Sequence, residues 1–312
     1  MPDISRCEIV PLPLEQVSFR IDGREVIRWH FGRQASRPYF YPLIGPESGS
    51  SLTRMGHPGA PDHDHHLSVW FAHAKLLGMD FWSNQSETFI RQQQWLVYED
   101  GDEQAAMAAK LGWYDGHDPQ PLLDHELIAA VRPLDHGEFT LDLHSAFVPR
   151  ADQLEFQQTN FGLLAVRVAQ SLSVHFGGGQ LTGADGTTGE ADLFGEPSAW
   201  MDYSGPVAVA DSSPRVTVTE GITLYDHPDN VSFPSKWHVR EDGWMGPSLC
   251  RDKAVITTRE VPLRLKYRLH IHRGAIDVSR ANEMAAAWAT EPDLHAVRSS
   301  LPHRHFQIEA MG

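Results

Sequence analysis

Short runs in which apolar and polar residues alternate, separated by turn-forming residues, occur along most of the chain. Near the N-terminus two such runs flank Asp22-Gly23, a dipeptide typical of a β-hairpin turn. A helical pattern is confined to residues 279–289, and we expect the glycine-rich stretch 177–196 to be a loop and the residues after 289 to be a polar tail. The pattern predicts an all-β fold of antiparallel strands with few short helices, formed by residues 1–312 as a single domain.

Charge and segment composition exclude several classes of protein. The formal net charge is −15 and no basic stripe is visible, so a nucleic-acid partner is not expected. No run of about eighteen apolar residues is present, which argues against a membrane partner. The N-terminus lacks the features of a secretory signal, and Cys7 and Cys250 are too few and too far apart for a disulfide framework. We therefore expect a cytoplasmic protein.

The segment from Asp62 to Trp82 is the strongest candidate for chemistry. It contains His63, His65 and His66 at the entry of the alternating run LSVWFAH. Imidazoles titrate near physiological pH and act as bases, acids or metal ligands. Alternation predicts that Leu67, Val69 and Phe71 share one face of this strand and that His66, Ser68 and Trp70 share the other.

Two other segments carry polar groups on strands. In WHVR, alternation places His238 and Arg240 on one side and Trp237 and Val239 on the opposite side. Arg167 interrupts an otherwise apolar strand, where its guanidinium needs a carboxylate, a carbonyl or a ligand. We expect His238 to lie in one pocket with the histidines of residues 63–66.

The motifs DHDHHLSVWFAH, AWMDYSGP, GITLYDHPDN, WHVREDGWMGP and LKYRLHIHRG, taken together and in this order, resemble the bacterial family known as PmoA-like or DUF6807. The resemblance extends from about Arg37 to about Ala289. It implies a large antiparallel β-sandwich, the supersandwich of galactose-mutarotase-like proteins, and a role in carbohydrate catabolism. The family's histidine motif corresponds to His63, His65 and His66, and its Asp-His-Pro motif to Asp226 and His227.

One segment departs from the family pattern. Thr159, Asn160 and Phe161 stand where the resemblance implies Thr-Lys-Glu, so a lysine and glutamate acid-base pair is missing. This departure favours a histidine as the base.

From these observations we predict a carbohydrate-active enzyme, a lyase that acts on an oxidised (3-keto) sugar or glycoside. A histidine would remove a proton, and the C–O bond would then break. The predicted catalytic residues are His63, His65, His66, His238 and Arg167. The predicted substrate-binding residues are Arg54, Trp70, Trp82, Asn160, His227, Arg240 and Trp244.

Other interpretations stay open at this stage. The same groups could serve an aldose mutarotase or epimerase, or a non-catalytic carbohydrate-binding protein. His63, His65 and His227 could bind one divalent metal ion, since alternate histidines at a strand entry point to the same side. The expected partner is a small-molecule sugar, and the oligomeric state, homo-oligomers included, is left open.

Overall fold

The computed structural model describes residues 5–57, 60 and 63–311. Its strands, in chain order, are β1 (Cys7–Leu12), β2 (Gln16–Ile21), β3 (Arg24–His30), β4 (Tyr39–Leu43), β5 (Val69–His73), β6 (Phe89–Glu99), β7 (Ala105–Tyr114), β8 (Leu123–Pro133), β9 (Phe139–Pro149), β10 (Gln153–Phe156), β11 (Gly162–Arg167), β12 (Gln180–Gly183), β13 (Trp200–Ala208), β14 (Thr217–Asp226), β15 (Trp237–Arg240), β16 (Trp244–Pro247), β17 (Val255–Thr258), β18 (Leu263–Arg273), β19 (Asp293–Arg298) and β20 (Phe306–Met311). The α-helices are α1 (Glu190–Leu193) and α2 (Val278–Trp288).

Two eight-stranded antiparallel sheets form the main body of the fold. The first sheet has the strand order β1-β2-β3-β4-β5-β11-β16-β15, and the second has the order β12-β13-β14-β18-β9-β8-β7-β6. Two further pairs, β10 with β17 and β19 with β20, lie outside them. The predicted all-β sandwich with few short helices is therefore confirmed, whereas the single domain predicted for residues 1–312 stays a prediction.

The main core lies between the two sheets. One cluster of buried apolar side chains includes Phe19 and Trp29 from the first sheet and Leu127 and Leu141 from the second. Because side chains alternate along each strand, every core residue is followed by one on the opposite face of its sheet. The faces turned away from the core are therefore available for other contacts.

Helix α2 covers part of the outer face of the second sheet. Its first turn is capped by Asp277, whose carboxylate accepts a hydrogen bond from the backbone N–H of Arg280. Trp288 at its end packs in a cluster with Trp200 and Tyr225 from β13 and β14. The candidate site lies on the outer face of the other sheet, the first one.

The two segments predicted to be irregular contain regular structure. The glycine-rich stretch 177–196 contains β12 and α1, and the residues after 289 form the hairpin of β19 and β20. The hairpin has its own small apolar cluster, in which Leu294 packs with Ala106 and Ile128 of the second sheet. Leu294, together with the partly buried Ala296, Phe306 and Ile308, gives this largely polar tail an apolar face that packs on the second sheet.

Candidate active site

The outer face of the first sheet, over β5, β11, β16 and β15, carries a cavity of about 340 Å³. Trp70, Ala165 and Trp244 point to this face and belong to an apolar cluster separate from the main core. Among the described residues, the cavity is lined by His63, His65, His66, Trp82, Phe161, His238, Arg240, Asp242 and Trp244. Its size lies at the lower end of the range for small-molecule pockets.

Three histidine rings lie side by side at the entry of β5. The ring centroids of His65 and His66 are 4.4 Å apart, and those of His63 and His66 are 5.2 Å apart. Arg37, whose side chain is only 1% exposed, donates hydrogen bonds to the carbonyl oxygens of His65, at 3.2 Å, and of Ser83, at 3.1 Å. This buried guanidinium therefore ties the histidine segment to the loop that follows Trp82.

The predicted alternation fails at one position of this segment. Val69 and Phe71 point into the main core as expected, but Leu67 belongs to the outer cluster with Trp70. Ser68 has a φ of 67°, in the left-handed region, so the backbone turns there and Leu67 does not keep the phase of the strand. The prediction that Leu67 shares a face with Val69 was wrong for this reason.

The second histidine-bearing segment meets the first across Trp244. The ring centroids of His238 and Trp244 are 3.9 Å apart, and those of His66 and Trp244 are 6.2 Å apart. Trp237 and Val239 point into the main core, whereas His238 and Arg240 line the cavity. The structure thus brings residues 63–66 and His238 into one cavity.

Burial controls the charge state of two of these rings. Burial, reinforced by His65 and Arg167, lowers the pKa of His66 to about 2. Burial, reinforced by Arg240, lowers the pKa of His238 to about 3. Both imidazoles are therefore neutral at neutral pH, and they can exchange hydrogen bonds with a ligand without carrying a charge.

A group of charged residues lies at one wall of the cavity. Arg167 is fully buried, and its Nη1 donates to Asp242 Oδ1 at 2.7 Å. Arg54 Nη2 donates to the backbone carbonyl of Asp242 at 2.8 Å. Of the partners that the sequence left open for Arg167, the structure supplies a carboxylate, that of Asp242, and Arg54 and Arg167 contact the cavity through that residue.

Besides Arg54, three of the predicted substrate-binding residues do not line the cavity. Trp70 is buried against His66 and Trp82, with a ring-centroid distance of 5.5 Å to each. The backbone carbonyl of Asn160 accepts a hydrogen bond from Ser248 Oγ and is also a hydrogen-bond partner of the His238 ring, whereas the next residue, Phe161, lines the cavity. His227 follows β14 of the second sheet, and its ring packs against Trp288 at 4.7 Å.

The predicted metal-binding set is not assembled. His63 and His65 share the cavity, but His227 is placed beside α2 because β14 belongs to the other sheet. Within residues 5–57, 60 and 63–311, no three histidine, cysteine, aspartate or glutamate side chains are grouped so that they could hold a metal ion. Asp62, which the sequence places in the histidine cluster, lies outside the described residues.

Sequence reasoning missed two residues that line the cavity. Phe161 is 38% exposed, and its ring lies 4.9 Å from His238 and 5.5 Å from Trp82. Asp242 occupies the turn between β15 and β16. A signal for Asp242 was present, because Arg167 needed an acceptor for its hydrogen bonds and Asp242 lies two residues beyond Arg240 in the motif WHVREDGWMGP.

The fold and the cavity define a class, an all-β sandwich protein with a pocket of histidine and aromatic side chains on one sheet. The family of unknown function DUF6807 matches residues 16–287, and the chain belongs to this family. No curated protein sequence matches it significantly. In the described part of the chain, no helix has the length and apolarity needed to cross a bilayer.

Two solved structures have distant similarity to the chain. One is 4-alpha-glucanotransferase from Thermococcus litoralis, with 7% identity and a TM-score of 0.32, covering 86% of this chain. The chain spans only 40% of that enzyme. The other, from Salmonella typhimurium, is described as "a putative mutarotase (YeaD)", with 11% identity and a TM-score of 0.33 over 88% of this chain and 97% of that one.

Proposed function

We propose that the protein is a carbohydrate lyase, which removes a proton from an oxidised (3-keto) sugar or glycoside and cleaves its C1–O bond. The observation that carries the proposal is the cavity of about 340 Å³ in which imidazoles from two distant segments lie beside Trp82, Phe161 and Trp244. Aromatic faces pack against the C–H faces of sugar rings, and imidazoles transfer protons.

His66 and His238 differ from His63 in how deeply they are buried. His66 and His238 are 7% and 3% exposed, and the low pKa values of their rings make them poor proton acceptors. We assign them as neutral hydrogen-bonding groups that hold the ketone oxygen and a hydroxyl. His63 is half-buried at the edge of the cavity and contacts the rings of His65 and His66, so we assign the proton-accepting role to His63.

The reaction requires no electron donor or acceptor. The base takes the proton from C2, which the neighbouring ketone acidifies, and the C2–H electron pair forms an enolate on the ketone oxygen. When the enolate collapses, the electron pair forms a C1–C2 double bond, and the C1 oxygen leaves with the proton that His63 took from C2, which returns His63 to its neutral form. Hydrogen bonds from neutral donors stabilise the enolate oxygen as its charge develops.

An aldose epimerase or mutarotase is the alternative within the same cavity. An epimerase would share the first proton transfer and would return a proton to the same carbon without C–O cleavage. A non-catalytic sugar-binding protein would use the aromatic walls alone. The PmoA-like and galactose-mutarotase-like relationships stay predictions, as do a cytoplasmic location and a homo-oligomeric state.

The proposed mechanism uses no metal ion, and a bound divalent metal stays the alternative predicted from the sequence. His63 and His65 are the two predicted ligands that share the cavity, and His227 packs elsewhere. Elemental analysis of the purified protein tests this part of the proposal. A stoichiometric divalent metal whose removal by EDTA abolishes turnover would restore the metal-dependent alternative.

Incubation with a panel of glycosides, anhydro sugars and their 3-keto derivatives in deuterated water, followed by NMR, tests the proposal. Elimination predicts an unsaturated ketone product and a released C1 substituent. Deuterium at the carbon beside the ketone without cleavage would instead support the epimerase, and chemical-shift changes without turnover would support the binding protein.

A pair of histidine variants tests whether the reaction takes place in the cavity. His63→Gln is expected to lower turnover by about 10²-fold or more, the usual contribution of a general base. His117→Gln is the control, since the His117 side chain is 78% exposed on a different part of the surface. Equal turnover in both variants would exclude His63 as the base.

A further inference from the structure

Asp242 is held from several directions at the wall of the cavity. Its Oδ1 accepts a hydrogen bond from Arg167 Nη1 at 2.7 Å, and its Oδ2 lies 3.1 Å from His57 Nε2. Arg54 fixes the backbone of the same residue through its carbonyl oxygen. A carboxylate with this many partners has little freedom to change its position.

The carboxyl group of Asp242 is ionised at neutral pH. Burial alone would raise its pKa, but the hydrogen bond and charge of Arg167, together with His57 and Arg54, lower the pKa below its usual value. The Arg167 side chain is fully buried, whereas that of Asp242 is 28% exposed, so the buried guanidinium depends on this carboxylate for charge compensation.

His57 connects Asp242 with the histidine cluster. Its ring centroid lies 5.4 Å from that of His63. The same ring packs edge-on against Phe176, also at 5.4 Å. The side chain of His57 is 13% exposed, and Asp242, His63 and Phe176 are among the residues that hold it.

We infer that Asp242 is a positioning residue, which fixes the orientation and tautomer of His57 and, through the contact of His57 with His63, the orientation of the base. The inference rests on the proposed function, because it takes His63 as the proton acceptor. An acidic residue that accepts the imidazole N–H selects one tautomer and stabilises an imidazolium, as in other catalytic triads.

A purely structural role for Asp242 makes a different prediction. In that case the carboxylate only compensates the buried charge of Arg167, and His57 would be unaffected by the identity of the acceptor. The tautomer of His57 is therefore the readout that separates the two roles.

The tautomer is measured by NMR of the full chain labelled with ¹⁵N at histidine, with His57 assigned by comparison with His57→Gln. The wild type is expected to carry the proton on Nε2, where it is donated to Asp242. In Asp242→Asn the side-chain amide can donate, so we expect a shift of the His57 proton to Nδ1. An unchanged tautomer in Asp242→Asn would overturn the inference.

Turnover provides the second measurement, on whichever sugar of the panel reacts. Asp242→Asn is expected to lower kcat by about 10²-fold with KM changed less than about twofold, since a wrong tautomer impairs proton transfer more than binding. Asp252→Asn, on an exposed carboxylate paired with Lys236, is the control and is expected to keep wild-type kcat. Wild-type kcat in Asp242→Asn would also overturn the inference.

The two proposals can fail separately. If the wild type converts no sugar of the panel, the proposed function fails, whereas the NMR comparison still decides whether Asp242 sets the His57 tautomer. If the wild type is active and Asp242→Asn leaves either the His57 tautomer or kcat unchanged, the inference fails and the proposed function stands. Thermal unfolding of both variants checks that each is folded.

Discussion

Acidification from pH 7 to pH 5 is expected to destabilise the protein through His66 and His238. In the unfolded chain each imidazole binds a proton with a pKa near 6.5, whereas the folded protein keeps the pKa values at about 2 and about 3. Between these values the unfolded state binds more protons than the folded state. The stabilising contribution is therefore present above about pH 6.5 and is lost as the pH falls.

The size of the effect follows from proton linkage. A site with an unfolded pKa of about 6.5 that stays unprotonated in the fold lowers the free energy of unfolding by about 0.2 kcal/mol at pH 7 and about 2 kcal/mol at pH 5. The difference is about 2 kcal/mol for each ring. The two rings together therefore account for about 4 kcal/mol of the loss between the two pH values.

Urea unfolding at both pH values measures this contribution. The change in unfolding free energy between pH 7 and pH 5 is compared in the wild type, His66→Gln, His238→Gln and the control His117→Gln. Each pocket variant should lose about 2 kcal/mol less than the wild type. The buried His125, whose pKa burial lowers to about 3, contributes equally to all four proteins and cancels.

One outcome of the urea experiment would refute the neutral state of His238. If His238→Gln lost as much free energy of unfolding on acidification as the wild type, the His238 ring would not be held neutral by burial. The assignment of His66 and His238 as neutral hydrogen-bonding groups would then be wrong. If His117→Gln also lost less free energy of unfolding on acidification than the wild type, the difference would reflect a general charge effect instead.

Three further predictions concern the surroundings of the cavity. Arg167→Met should lower the free energy of unfolding by about 1–3 kcal/mol, because it removes the buried partner of the Asp242 carboxylate, which is 28% exposed and keeps its contact with His57. Asp242→Leu in the same chain should recover part of this in urea unfolding, and no recovery would show that the pair does not couple. Trp244→Ala should weaken the binding of a reactive sugar about tenfold in calorimetry, with Trp244→Phe intermediate, and equal affinities would remove Trp244 from the sugar-binding surface. Arg37→Gln should speed amide hydrogen exchange in residues 63–66 while leaving β9 unchanged, and unaltered exchange would show that Arg37 does not hold the segment.

The strand pattern could be predicted because one physical rule determines it. Where a strand has one face in the core, apolar residues must alternate with residues of the other face, and WHVR shows this, with Trp237 and Val239 in the core and His238 and Arg240 at the cavity. The rule fails where the backbone leaves the extended region. Ser68 is such a position, and an ordinary serine gives no warning that its φ is positive.

The composition of the site was harder to predict than its location. The buried Arg167 required an acceptor, but the sequence alone did not show which group would supply it. Asp242 lies in the charged turn Glu241-Asp242-Gly243, and such turns are usually exposed to solvent. His227 shows the opposite error. It belongs to a conspicuous motif, yet its strand lies in the second sheet, and sheet membership is decided by long-range pairing that local patterns do not reveal.

The fate of the hydrogen at C2 of the substrate tests the central claim most directly. A 3-keto glycoside labelled with deuterium at C2 is incubated with the wild type, His63→Gln and His117→Gln, and loss of the label to solvent is followed together with release of the C1 substituent. We expect the wild type and His117→Gln to lose the label at least as fast as the C1–O bond breaks, and His63→Gln to slow both steps by about 10²-fold or more. Cleavage with the deuterium retained at C2, or wild-type rates in His63→Gln, would contradict the account.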